Sequence, residues 1–288
     1  MKTLKQSRIG SFLAVSAVYI LAGALGAFVY GRLPLPWYLA LLVADALATV
    51  FTFLFSLIFQ NASVYDPYWS VQPPVILLAF AADKEITLFG ALLLFVVLLW
   101  GVRLTANWAY TFGGLNHQDW RYTMLQEKTG AFYPLINFIG IHMVPTLVVY
   151  ACTLPAVYAL IHGLSANAGS IALLGVSLCA ILLQGTADVQ MHRYRKSKDA
   201  PFNRHGLWKY SRHPNYLGEI TMWWGVGLYA VLTLGFRWYL LIGAVANTVL
   251  FFAVSIPMAD GRQSKKEGYQ EYKAQTRMLL PIPKKGGN

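Results

Sequence analysis

The stretch Ile9–Tyr30, IGSFLAVSAVYILAGALGAFVY, runs for 22 residues without an Asp, Glu, Lys, Arg, His or Pro. About 20 apolar residues of helix cross the hydrocarbon of a bilayer, so this stretch predicts a transmembrane helix. It is too long for the apolar core of a signal peptide and ends without a small-x-small cleavage site, so it is expected to stay as an anchor. Outward from it, the same reading predicts spans over 37–60, 86–110, 132–162, 170–191, 216–234 and 238–258. A shorter apolar run, 71–82, carries Pro73 and Pro74 and reads as a brief span or a re-entrant piece. The span over 132–162 exceeds one bilayer thickness and contains Pro134, Pro145 and Pro155, which predicts a kinked, tilted or partly interfacial helix.

Composition supports this layout. Hydrophobic residues make up 57% of the chain and charged residues 12%, about half the ~25% usual for a soluble protein. That excludes a soluble enzyme, a disordered regulator and a DNA-binding domain, despite a net charge of +11. Cys152 and Cys179 both lie in apolar runs, so no disulfide framework is encoded. The expected fold is an all-α, polytopic integral membrane helical bundle with seven to eight transmembrane helices, in a single membrane domain over 1–288. Lys and Arg collect on the cytoplasmic side of a membrane protein. With eight spans, 20 of the 23 basic residues fall on one side, leaving Arg32, Lys84 and Arg237 on the other. Eight is the favoured count, and the clusters at 193–212 and 262–285 are expected at the cytoplasmic face.

These two clusters are also the densest polar stretches. Lys196, Lys198, Lys265, Lys266, Lys284 and Lys285 are accounted for as headgroup anchors. Charge alone does not explain Ser211–Glu219, which interleaves Arg212, His213, Asn215, Tyr216 and Glu219 with Pro214 and Gly218. Pro214 biases His213 out of the helical region, so the next helix starts there, near Asn215–Tyr216. Free N–H groups at that N-terminus, beside Arg212 and His213, predict a phosphate site. Glu219 falls one turn further on, where a carboxylate needs a partner; the nearby arginines are the candidates.

Asp188-x-Gln190, Gly206-Leu-Trp208-x-Tyr-Ser-Arg-His-Pro-Asn-Tyr-x-Gly-Glu219 and Trp223-Trp224-Gly225 closely resemble a bacterial membrane family described as steroid 5-alpha-reductase-like. So do Tyr269-x-x-Tyr272-x-x-x-Thr276 with the following Leu-Leu-Pro-Ile-Pro, the run Asn61–Ser70, and Asp119-x-Arg121-Tyr122. The C-terminal half is shared more loosely with sterol reductases and with isoprenylcysteine carboxyl methyltransferases, which bind S-adenosylmethionine. The resemblance implies NADPH as cofactor and reduction of a conjugated C=C bond in a lipophilic substrate, steroid-like or isoprenoid-like, arriving from the bilayer. It further implies that Asp188, Arg195, Asn203, Arg212, His213, Asn215, Tyr216 and Glu219 line the cofactor pocket in the half spanning 170–288, with Tyr272 and Thr276 folding over it. The expected location is the inner (cytoplasmic) membrane, with the cofactor site facing the cytoplasm and membrane lipids as partners. An S-adenosylmethionine-dependent membrane methyltransferase is the alternative.

The substrate side is expected in the N-terminal helices, over 1–130. Steroid 5-alpha-reductases use a Gln-Glu pair and a tyrosine there, and the Gln-Glu dipeptide is absent from this half. Enone reduction needs an acid near the carbonyl oxygen; Asp66 and Tyr68, followed by Trp69 and Gln72, are assigned that role. Arg103 and Asn107, four apart on one helix face, either contact the cofactor or end a span as snorkelling groups. Asp45, in mid-span, is expected to face the protein interior, paired or protonated. Asn137, His142, Gln184 and Asn247 read as interhelical glue. No cluster at metal-ligand spacing appears. Asn61-Ala-Ser63 fits a glycosylation sequon, but its expected cytoplasmic side argues against that use.

Overall fold

Apolar periodicity becomes helix almost throughout. The computed structural model describes residues 5–82, 84–162, 167–197 and 200–282. Among them run α1 (Arg8–Tyr30), α2 (Trp37–Ile58), α3 (Tyr68–Ala81), α4 (Leu88–Thr111), α5 (Trp120–His162), α6 (Ala168–Ser197), α7 (Pro214–Leu234), α8 (Trp238–Gln263) and α9 (Tyr269–Gln275). Seven of these, all but α3 and α9, are long and apolar enough to cross a membrane. At 14 residues α3 is too short to count as an eighth.

Local chemistry sets the ends. Ser7 caps α1 by accepting from Gly10 N at 3.1 Å. Pro36 precedes the first residue of α2, and Pro214 occupies the first position of α7, with His213 outside the helical region at φ −141°, ψ 60°. Two helices change pitch midway. In α5 a π turn covers Asn137–Met143, and in α8 another covers Phe251–Ser255. Each ends two residues before a proline, Pro145 and Pro257. A proline has no N–H for the turn behind it and its ring crowds that turn's carbonyl, so the helix widens there.

The chain forms two compact units, Met1–Leu78 with Gly101–Leu154, and Ala79–Trp100 with Pro155–Asn288. In the first, α1 packs on α2. The inward stripe of α1 is Ser11, Val15, Val18 and Ala22, while Ile9, Leu13, Ile20 and Phe28 are more than half exposed. On α2 the buried stripe is more polar still, with Asp45, Thr49, Thr52 and Ser56 turned inward. Large apolar side chains outside and small or polar ones inside is the arrangement a lipid solvent selects.

In the second unit the dominant pairing is α6 against α7. It is a backbone-close contact. A Cβ on Gly218 would lie 2.6 Å from Ala180 O and 2.4 Å from Gln184 Cγ, and one on Gly225 would lie 2.0 Å from Ser177 Oγ. Only glycine fits. Gly218→Ala is therefore expected to lower the melting temperature in detergent, by an overpacking cost of about 1–3 kcal/mol. Gly175→Ala, where nothing lies within 4 Å of the added carbon, is the matched substitution and should leave it unchanged.

Candidate functional site

The second unit brings the remote stretches Asp188–Gln190, Gly206–Glu219 and the tail together. The organising group is Asp260, near the end of α8, whose side chain is 9% exposed. Arg212 donates to it from Nη2 at 3.1 Å and from Nε at 3.4 Å. His213 Nε2 lies 3.0 Å from Oδ1, Tyr269 Oη donates to the same oxygen at 2.6 Å, and Lys273 Nζ stands 3.8 Å from Oδ2. The second arm of Arg212 donates to the carbonyl of Thr276 at 2.7 Å.

Backbone bonds complete the strap. Arg212 N donates to Arg277 O at 2.9 Å and His213 N to Met278 O at 3.2 Å, while Ser211 and Arg277 form an isolated parallel bridge. Tyr272 Oη donates to Trp208 O, and Thr276 Oγ1 to Lys209 O at 3.4 Å. The tail thus closes over the 207–213 segment, where the resemblance expected Tyr272 and Thr276. Burial, and then the Asp260 carboxylate, pushes the Tyr269 hydroxyl above its ordinary range; burial does the same for Tyr272. Both remain neutral donors at physiological pH.

This geometry gives the residues of the expected phosphate grip partners within the chain. Arg212 and His213 do not stand open at the N-terminus of α7; both are engaged by Asp260, passed over in the sequence. Glu219 lies in the second turn of α7, among indoles. Its Oε2 accepts from Trp100 Nε1 at 2.8 Å and its Oε1 from Trp223 Nε1 at 3.0 Å, with the two indoles edge-on at 4.9 Å. Each indole N–H fills one lone-pair direction of the buried carboxylate. Tyr216 stacks on His213 with centroids 5.1 Å apart, and Asn215 is half-buried beside it.

A cavity of about 290 Å³ opens beside the strap. Its wall on α6 carries Gln190, Arg193, Tyr194 and Ser197, and the loop side carries Asn203 and His205. Gly206 turns there at φ +60°, a conformation side chains rarely adopt, and a Cβ would meet the Gln190 amide at 2.5 Å. That amide accepts from Leu207 N at 2.8 Å, pinning the loop to α6. Asn203 is 6% exposed; its Oδ1 accepts from His205 N, and its Nδ2 has no hydrogen-bond partner. Asp188 is half-buried and Arg195 exposed on the same helix. Arg193 and His205 were missed because they fall outside the motif positions; their signal was simply basic residues flanking Asn203.

The first unit holds the expected catalytic residues, with different partners. Tyr68 Oη donates to Asp45 Oδ1 at 2.7 Å, and Gln72 Nε2 to Asp45 Oδ2 at 2.9 Å. Asp66 instead accepts from Tyr122 Oη at 2.6 Å. The single Tyr–carboxylate pair expected at 66–68 is thus replaced by two. Asp45 faces inward and paired, as expected for an intramembrane carboxylate. Asn61 is buried, and its Nδ2 donates to Leu115 O and His117 O, so the sequon is spent on folding. Arg103 and Asn107 lie on α4 in this same unit.

The class defined so far is an all-helical chain with seven membrane-length helices and a tail-strapped polar site. The chain belongs to the family described as "Protein of unknown function (DUF1295)", which matches residues 52–276. It is also similar to an uncharacterized protein of Schizosaccharomyces pombe, 26% identical over 206 residues, 60% of this chain. The match spans 58% of that relative's length. No solved structure matches.

Two predictions follow from these networks. Asp260→Ala leaves Arg212 buried without its counter-charge, at a cost of about 3–5 kcal/mol. Amide exchange at Arg212 and His213 should then quicken as the tail detaches, as hydrogen-exchange mass spectrometry would record. Burial raises Asp66 from 3.8 to about 7, against the pull of Arg121 and the Tyr122 hydrogen bond. A raised carboxyl stabilises the fold fully below 3.8 and loses that contribution as pH rises towards 7. Melting temperature should therefore fall over that interval in the native chain and fall less in Asp66→Asn.

Proposed function

We propose that this chain is a membrane-embedded reductase that uses NADPH to saturate a conjugated C=C bond in a lipophilic, steroid-like or isoprenoid-like substrate. The observation that carries this reading is the convergence of the stretches behind the resemblance, 188–190, 206–219 and 269–276, on one strapped site with a basic cavity beside it. The fit to a dinucleotide rests on the donor set. Arg193, His205 and the unpartnered Nδ2 of Asn203 line a cavity near the lower end of the roughly 300–1,000 Å³ typical of ligand pockets. Arg193, with Arg195 on the same helix, would hold phosphates, for which a guanidinium is better suited than an ammonium. Asn203 and Ser197 would take sugar or base polar atoms.

When bound, NADPH supplies the hydride. The chain's own work is then to orient, to exclude water and to hold a proton. Tyr68 is the proton-holding group at the substrate oxygen, its hydroxyl fixed by Asp45, with Gln72 fixing the other carboxylate oxygen. Arg212 and His213 frame the cofactor end by tying the tail down. Glu219, held by two indoles, keeps a buried acceptor at the apolar end.

Thermal unfolding in detergent tests the reading. NADPH should raise the melting temperature and S-adenosylmethionine should not. Arg193→Ala should weaken the NADPH effect, with affinity falling roughly tenfold for one lost charge-assisted contact. A rise with S-adenosylmethionine alone rejects the reductase in favour of a methyltransferase.

A further inference from the structure

Asn203 Nδ2, Gln263 Oε1 and both amide ends of Asn247 are buried polar atoms of the second unit without a hydrogen-bond partner. Of these side chains Asn203 is the one that lines the cavity of about 290 Å³. It is 6% exposed. Its carbonyl oxygen is committed, accepting from His205 N at 3.1 Å, which leaves the amide nitrogen as the free end. A buried donor is costly without an acceptor, and a ligand in the cavity would supply one.

The cavity is built before any ligand arrives. Leu207 N donates to Gln190 Oε1 at 2.8 Å, Tyr194 Oη to Ala200 O at 2.8 Å and Trp208 Nε1 to Ala187 O at 3.1 Å, so the connection after α6 is tied back onto that helix. Around Asn203 stand Arg193 and His205, both exposed at the rim. Among the described residues no Asp or Glu lines the opening. A guanidinium and an amide nitrogen only donate, and an imidazole N–H donates as well. Donors gathered around a small opening call for a compact, acceptor-rich anion.

We infer that this cavity seats the 2′-phosphate of NADPH, with Arg193, His205 and Asn203 Nδ2 as its donors. The inference rests on the dinucleotide reading above and deepens it, because it makes the cavity the place where NADPH is told from NADH. A terminal phosphate carries about −1.5 to −2 charge near neutral pH and three strong acceptor oxygens, one for each donor group. Each phosphorus of the internal diphosphate keeps only two free oxygens and a single charge, a poorer match to the same donors. Size agrees: a volume near the lower end of ligand pockets seats one end of a dinucleotide rather than the whole.

The test measures binding of NADPH, NADH, adenosine 2′,5′-bisphosphate and 5′-AMP to the detergent-purified chain by thermal unfolding. In wild type NADPH should bind roughly tenfold or more tighter than NADH, and the bisphosphate should exceed AMP likewise. Asn203→Asp keeps the oxygen that accepts from His205 N and replaces the free donor by a charge that repels phosphate. Arg193→Gln removes the cation from an exposed position, and it decides alone should Asn203→Asp fail to fold. Each variant should weaken NADPH and the bisphosphate roughly tenfold and leave NADH and AMP unchanged, so that the preference collapses. Equal binding of NADPH and NADH in wild type overturns the inference, as does a preference that survives in the variants; NADPH binding then still upholds the cofactor reading. Variants that weaken all four nucleotides alike assign the cavity to a part the four share and overturn the inference too. Absence of any shift with the four in wild type removes the cofactor reading and this assignment with it.

Discussion

One carboxylate holds the C-terminal unit in its observed form. Asp260 gathers a guanidinium, an imidazole, a phenol and, at longer reach, an ammonium, drawn from the start of α7 and from the tail. A buried charge is costly alone and tolerable when its lone pairs are filled. Each partner is therefore fixed by the others. The backbone bonds from Arg212 and His213 to Arg277 and Met278 follow from that arrangement: once the side chains are pinned, the tail lies alongside the 211–213 segment at bonding distance.

Neutral donors serve the same constraint elsewhere in the interior. Glu219 uses indoles, and Asp45 uses a phenol and an amide. Within hydrocarbon these pairings matter because water does not stand in for a missing partner. They also separate two kinds of chemistry. The C-terminal unit collects basic groups around its cavity, while the N-terminal unit buries a hydroxyl–carboxyl pair suited to holding a proton.

The helices were legible in the sequence because their signal is local. Apolar runs gave seven spans, and Pro214 gave the start of α7 to within a residue or two. The short α3 was legible as an apolar segment, and its length decides that it is no eighth span. Partnerships were not legible. Tyr68 and Asp66 are two apart in sequence, yet on the turn into α3 their side chains find Asp45 and Tyr122, 23 and 56 residues away. Asp260 hid among the basic residues of the tail, where counting charges to place a membrane face treats one acid as noise. The usable clue was that few of the twelve acidic residues lie within or at the end of a span, so each of those calls for a named partner. Asn61 looked like a modification site by motif, and only its two carbonyl acceptors reveal a fold-holding role.

The glycine contacts between α6 and α7 bear on how the molecule moves. With Gly218 and Gly225 seating one backbone against the other, the two helices travel as one rigid body, and neither slides or tilts without a steric collision. Breathing around the cavity then falls to the lighter pieces: the 203–211 connection and the tail that closes over it. Local movement beside the cavity is consequently a matter for the strap and its connection, set on a closely seated helix pair.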